Sequence, residues 1–385
     1  MPYTPPTVNY NSGTDSTWYT ITGVQSVNIS RGRQRFQDPV SQSSMVVELI
    51  PANSYTLPFA IGQAIDVRDT NSSSAVCYFQ GRITDVQRSY AFPYNSGTGA
   101  APADRIRITA TGATGIIGTG QLSGQTLTNN YTYANIATVA GVQGVSWSGS
   151  GFENAVKNSA QTYSGAALDC VNQLLRTSQT TIDDCVVSRS SAQIYAVTTW
   201  ATGVQMNSIA FTDTGSGYAY SGLEFLSSVQ NTFNWIELEA TGVYTVIAAL
   251  GSAPYNALLY STFSETPTDA SSLAIYLWNM LSGQVQAAPF SISTSTVTSA
   301  SCMQLAQLVK DGSSFPLGYT NAVMGQPVSV AFRGSTTYGT VIGVNAAFYP
   351  DRGNVQLFLA PSLGTPFTLD SSAFGVLDQN RLGFP

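Results

Sequence analysis

Histidine does not occur in this chain of 385 residues, and lysine occurs only as Lys157 and Lys310. The missing imidazole removes the commonest general base, and with it Ser-His-Asp and Cys-His catalysis. Neither lysine stands in a Ser-x-x-Lys arrangement, which removes the next alternative for activating a serine. Charged residues make up 9% of the chain, against about 25% in an average soluble domain. Polar surface must then come from Ser, Thr, Asn, Gln and Gly. A surface so poor in charge suits a protein whose exterior is largely covered by partners. The net charge of −6 weighs against a nucleic-acid binder, which needs clustered Lys and Arg. The one dense basic run, Arg31, Arg33 and Arg35, is expected as a solvated or interface-facing strand end. The four cysteines, Cys77, Cys170, Cys185 and Cys302, are too few and scattered for a disulfide framework, and none forms a CxxC pair. A Cys170–Cys185 bridge is conceivable, but free thiols are the expectation. No stretch approaches 18 apolar residues, so no membrane span is expected. The start, Met1-Pro2-Tyr3-Thr4-Pro5-Pro6, has neither the basic residues nor the apolar run of a signal peptide.

What remains does not assemble into a reactive site. Glycoside hydrolysis needs only two carboxylates, and Glu153, Glu224, Glu237, Glu239 and Glu265 are present, yet no spacing selects a pair. Glu237 and Glu239 alternate with Ile236 and Leu238 and read as the outward face of a strand. Asp183-Asp184 lacks the 12-residue loop of a calcium site and reads as a helix end or turn. The glycine run Gly112–Gly120 has no Gly-Lys-Ser/Thr ending and reads as a domain linker rather than a phosphate loop. The reading is of a protein that is not an enzyme, with no catalytic, cofactor-binding or metal-binding residue assigned and no cofactor.

A short pattern is present twice. The first copy runs Ile61-Gly62-Gln63-Ala64-Ile65-Asp66-Val67, a turn, then Gly81-Arg82-Ile83-Thr84-Asp85-Val86. The second runs Met324-Gly325-Gln326-Pro327-Val328-Ser329-Val330, a turn, then Gly339-Thr340-Val341-Ile342-Gly343-Val344. Two alternating runs around a Gly- or Ser-rich connection predict a β-hairpin. A third alternating run follows each, Asp104–Ala110 and Asn354–Ala360. Residues 18–110 read almost wholly as strand, 111–150 as soft connection. A helix is predicted after Ser164, which can cap it, with an apolar face of Leu168, Val171, Leu174 and Leu175. A second is predicted over 268–281 and a short third over Cys302–Lys310. A chain that carries one β-module twice can place six similar modules in a ring of three copies, which points to assembly rather than chemistry.

With this order in hand, the chain resembles the minor tail proteins of long-tailed phages, and more closely the tail-tip baseplate hub. The resemblance rests on Val24–Ile29 leading into Ser30-Arg31-Gly32-Arg33, on Ile61–Val67 with Phe79-Gln80-Gly81-Arg82-Ile83-Thr84-Asp85-Val86, and on the small-residue helix Ser271–Leu281. The run Val341 to Pro361 and the ending Gly375-Val376-Leu377-Asp378 through Arg381-Leu382-Gly383 complete it. It implies a mainly β protein with minor α, two tube-like β-barrel modules and inserted mixed α+β domains. The organisation expected is an extended arm (1–15), a first tube-like module (16–115) and an inserted domain with one helix (116–195). A mixed middle region (196–300), a second tube-like module (301–366) and a C-terminal docking tail (367–385) follow.

The resemblance further implies a structural virion protein made in the bacterial host cytoplasm: a homotrimer at the distal tail end, joining a sixfold tube to a threefold tip. Its partners would be the tail tube protein, a distal tail ring protein, tip or fibre proteins, and the tape-measure protein in its lumen. No sequence-specific nucleic-acid contact is implied. Two alternatives stay open: a hexameric distal ring or tail-completion protein, and a receptor- or glycan-binding adhesin. The adhesin is suggested by 20 Tyr and 5 Trp on a polar background and would be favoured by an exposed Trp147.

Overall fold

Alternation of apolar and polar residues makes strands that bury one face, and such strands must meet another layer. The computed structural model describes residues 4–13, 17–35, 37–50, 59–69, 76–89, 105–148, 157–178, 180–185, 193–198, 209–213, 219–225, 233–240, 243–248, 257–281, 290–296, 324 and 327–361. The first stretch holds β1 (Thr7–Asn11), β2 (Trp18–Thr20), β3 (Val24–Gly32), β4 (Ser44–Leu49), β5 (Ala64–Asp69), β6 (Val76–Ser89) and β7 (Arg105–Gly112). A helical insertion follows: α1 (Ala113–Thr119), β8 (Gln121–Leu127), α2 (Thr132–Val142), β9 (Ser146–Ser148), β10 (Gln161–Ala166), α3 (Ala167–Ser178), β11 (Thr180–Asp183) and β12 (Gln193–Thr198). Next come β13 (Ile209–Thr212), β14 (Gly222–Phe225), β15 (Trp235–Ala240), β16 (Val243–Ala248), β17 (Ala257–Thr262), α4 (Pro267–Leu281) and β18 (Phe290–Thr296). The last strands are β19 (Pro327–Phe332), β20 (Ser335–Phe348) and β21 (Gly353–Pro361).

The protein is mainly β, built on one mixed 13-stranded sheet ordered β14-β18-β21-β20-β3-β4-β7-β6-β5-β1-β2, with β19 on β20 and β13 on β19. The repeat seen in the sequence is a repeat in space. Strands β5, β6 and β7 form one antiparallel meander and β19, β20 and β21 another. In each, the long middle strand carries a bulge at the same place in the repeat, between Ile83 and Asp85 and between Val341 and Gly343. The next strands out correspond as well: β4 then β3 beyond β7, and β18 then β14 beyond β21.

Of the expected fold, a mainly β protein with two tube-like barrel modules, the β content and the two modules are present, the modules as meanders without barrel closure. Among the described residues neither half closes on itself, and the two are continuous because β3 hydrogen-bonds to β20. One core serves both. Val27, Val47, Ile83 and Ile108 from the first half pack in the same cluster as Phe211, Val330, Phe348 and Leu357 from the second. The rings of Tyr78 and Phe348 lie 5.0 Å apart across the junction. A second core gathers Ile117, Ile136, Val139, Val171, Leu174 and Phe263 around the first three helices. A third packs α4, through Leu273 and Leu277, on Ile236 and Leu238 and reaches Ile342 and Ala360 of the large sheet.

Several local expectations change. The glycine run read as a linker contains α1, and the soft stretch after it contains α2, so among the described residues this part of the chain has three helices where one was expected. Glycine misled because it is spent on packing here. A Cβ on Gly115 would overlap Thr111 Oγ1, and one on Gly118 would overlap the Gln42 side chain. Ser164 lies in β10 and accepts a hydrogen bond from the Gly124 amide, so it does not cap α3. Part of the N-terminal arm is β1, with Val8 and Tyr10 buried on alternate positions. Helices α3 and α4 fall where periodicity puts them. The third helix, over 302–310, and the tail, 367–385, lie outside the described residues.

Candidate functional site

The most informative place in the molecule is the seam where the two halves of the sheet join. Residues Val27–Gly32 of β3 run antiparallel to Gly343–Phe348 of β20, in register from Val27 opposite Phe348 to Gly32 opposite Gly343. The Arg33 amide then donates to the Ile342 carbonyl at 2.9 Å. Two glycines allow this closeness. Gly32 has φ +76, in the left-handed region that glycine enters without strain, and a Cβ on Gly343 would overlap the Arg33 carbonyl. The bulge turns Ile342 out of register, and its side chain joins the third core instead of the first.

Behind the seam sits a buried ionic cluster. Arg31 Nη1 lies 2.7 Å from Asp183 Oδ1 and 3.9 Å from Asp184 Oδ1, and all three side chains are buried. Asp183 also accepts from the amides of Cys185 and Met324, at 3.0 and 3.1 Å. Asp184 Oδ2 accepts from the hydroxyls of Ser43 and Thr114. One cluster therefore ties β3, the loop before β4, the start of α1, the end of β11 and Met324, which precedes the second meander. Burial by itself lowers the Arg31 pKa, but the neighbouring Cys185, Asp183 and Asp184 more than reverse this and hold the guanidinium charged. Burial raises the Asp184 pKa, and Asp183 adds to it, against Arg31 and the two hydroxyls, which pull it down. A buried ion pair adds little net stability over apolar packing, but removing one partner is costly, so it fixes geometry.

The residues singled out in the sequence now have places. Arg31 and Arg33 are buried rather than solvated, and only Arg35 stays near the surface, paired with Asp38 at 2.9 Å. Asp183-Asp184 is neither a simple turn nor a calcium loop but the anionic half of the cluster. Cys185 lies beside Cys77, sulfur to sulfur at 2.9 Å, both as free thiols, while Cys170 is buried in α3 with its pKa pushed up to about 12 by burial. Glu237 and Glu239 lie opposite the buried Ile236 and Leu238, and accept from Trp235 Nε1 and Ser261 Oγ. Glu265 accepts from Asn129. Glu224 is exposed on β14, and Glu153 lies outside the described residues. Trp147 is half-buried against the second core. Among the described residues no group of three or more Cys, Asp or Glu is placed to hold a metal ion, and no helix is long and apolar enough to cross a membrane. The pairing of Arg31 with Asp183 is what sequence reasoning missed, since 152 positions separate them.

The seam has a counterpart that no strand among the described residues pairs with. On β20, β19 and β3 share one edge, over Ser335–Thr340 and Gly343–Phe348 respectively, while β21 takes the other. On β6, β5 occupies the corresponding edge up to Arg82, and β7 takes the other. Among the described residues no strand pairs with that edge from Asp85 to Ser89, nor with the outer edge of β14. Exposure agrees: Asp85, Gln87 and Ser89 are exposed and Val86 half-buried, whereas Gly343, Val344 and Ala346 are buried.

Solved structures similar in fold to this chain include phage tail proteins. The 43 kDa tail protein of prophage MuSo2 from Shewanella oneidensis is similar over 93% of this chain and 98% of its own, with a TM-score of 0.56 at 10% identity. A tail protein from Neisseria meningitidis MC58 is similar over 93% and 97%, with a TM-score of 0.58, also at 10% identity. The c3393 protein of E. coli, a type VI secretion component itself similar to the T4 bacteriophage tail proteins gp27 and gp5, matches over 88% and 73% with a TM-score of 0.52 at 9% identity. No protein-family pattern and no curated protein sequence matches the chain.

Proposed function

We propose that this chain is a structural, non-enzymatic virion protein: a trimeric hub at the distal end of a phage tail. The observation that carries the reading is the internal pseudo-repeat, two meanders with the same bulge and the same flanking strands, joined edge to edge by β3 and β20. Three copies would present six such units in a ring, which matches a sixfold tube on one side, while the insertions keep threefold symmetry for a tip. The weakly charged exterior suits a protein covered on several sides. Its partners would be the tail tube protein or distal tail ring protein above, tip or fibre proteins below, and the tape-measure protein within the lumen. The fold shared with tail proteins over nearly the whole chain supports this.

Light scattering on the purified protein across a range of concentrations tests the reading. A mass of three times 40.7 kDa is the expected result. A stable hexamer would favour a distal ring protein, and glycan binding by a strict monomer would favour an adhesin.

A further inference from the structure

The chain contains a worked example of how its own sheet edge is covered. Applied to the β6 edge, unpaired among the described residues, that example names an interface down to the register. Asp85 of β6 stands opposite Thr109 as Gly343 of β20 stands opposite Phe358. Counting on from there, Arg88 corresponds to Ala346 and Ser89 to Ala347. On the far side of each meander, Val46 is opposite Thr109 and Ser291 opposite Phe358. One strand further out, Asn28 is opposite Val46 and Glu224 opposite Ser291. Glu224 therefore corresponds to Asn28 and Phe225 to Ile29. Within the chain, Ala347 faces Asn28 and Ala346 faces Ile29.

From this we infer that the β6 edge is the docking site for β14 of a second copy of the chain, antiparallel, with Ser89 opposite Glu224 and Arg88 opposite Phe225. The inference rests on the trimeric reading and specifies its interface. Faces agree as well as register. Val86 and Leu223 are half-buried against the first core, as their counterparts Val344 and Val27 are buried in it. Ser89 and Glu224 are exposed, as is Asn28. An open edge is a template for pairing, and a head-to-tail repeat closes it without a second kind of contact. The β3·β20 seam inside each chain and the β14·β6 seam between chains would then alternate around the ring.

Cysteine cross-linking tests the register. The full chain carries Ser89→Cys and Glu224→Cys together, and it is compared with each single variant and with a pair shifted by two residues, Ser89→Cys with Gly222→Cys. Both sites of the main pair are exposed, so folding is preserved. Oxidised glutathione serves as the disulfide oxidant. Two protein thiols become one interchain disulfide, and the oxidant is reduced to two glutathione thiols. The expected result is covalent dimer and closed trimer on a non-reducing gel for the 89/224 pair, at least tenfold above the singles and the shifted pair. Light scattering is run on the same samples. A trimer by mass without this cross-link, a shifted pair that links as well, or a link within one chain would overturn the edge pairing and leave the trimeric reading standing. A hexamer carrying the 89–224 link would keep the edge pairing and overturn the threefold hub. A monomer at every concentration with no link would overturn both.

Discussion

Arg31, Asp183 and Asp184 show how few charges this chain uses and how it uses them. A chain with 9% charged residues places three in one buried knot at the junction of its halves. Asp183→Ala leaves Arg31 buried without its nearest anion, and we expect a loss of about 3–5 kcal/mol in urea-unfolding free energy. Asp183→Asn should cost less than Asp183→Ala, because its single amide oxygen at the Oδ1 position still accepts from Arg31 and the Cys185 amide, although Nδ2 then faces the Met324 amide. Asp184 has the opposite sign from an ordinary salt-bridged carboxylate. Its folded pKa is raised, so the folded state holds this proton to higher pH than the unfolded chain does. Between the unfolded and the folded pKa, stability attributable to this group falls as pH rises, and above the folded pKa the loss is complete. Asp184→Asn removes that slope. Unfolding free energies measured from pH 4 to pH 7 should fall less steeply for the variant than for the parent chain.

Glycine carries two meanings at the scale of elements, and the structure separates them. Gly343 sits where β3 crosses the bulge of β20, and a methyl group there meets the Arg33 carbonyl. Gly343→Ala should destabilise by roughly 1–3 kcal/mol, as overpacking does. Gly141, near the end of α2, has open space around its Cβ position. Gly141→Ala should stabilise by about 0.5–1 kcal/mol through helix propensity alone. Thermal melts of the two variants, shifted in opposite directions, check both. The same contrast explains which elements were legible. Strands β4, β7 and β21 were readable because one buried face imposes strict alternation, and α3 because Leu168, Val171, Leu174 and Leu175 form one stripe. Helix α1 was not, because Gly115 and Gly118 look like breaks until Thr111 and Gln42 are seen beside them.

At the scale of the whole molecule the shared core predicts cooperative unfolding. Phe348 is fully buried at the end of β20, against Tyr78 of the other half and opposite Val27. Phe348→Ala should cost about 3–5 kcal/mol. Because both halves pack on the same side chains, intrinsic fluorescence and near-UV circular dichroism should report that loss in one coincident transition. Two separated transitions would mean that the halves are independent barrels.

The sequence by itself determined the mainly β class of fold and the repeat, because these depend on local period. Alternation writes strands directly, and two hairpins of one pattern are visible without coordinates. Only the tertiary structure decided how the repeats meet. A strand has two edges with the same backbone groups, so nothing local says that β3 joins β20 or that the equivalent edge of β6 stays open among the described residues. Nor does any local pattern pair Arg31 with Asp183, since that contact exists only once the sheet has brought the distant parts of the chain together.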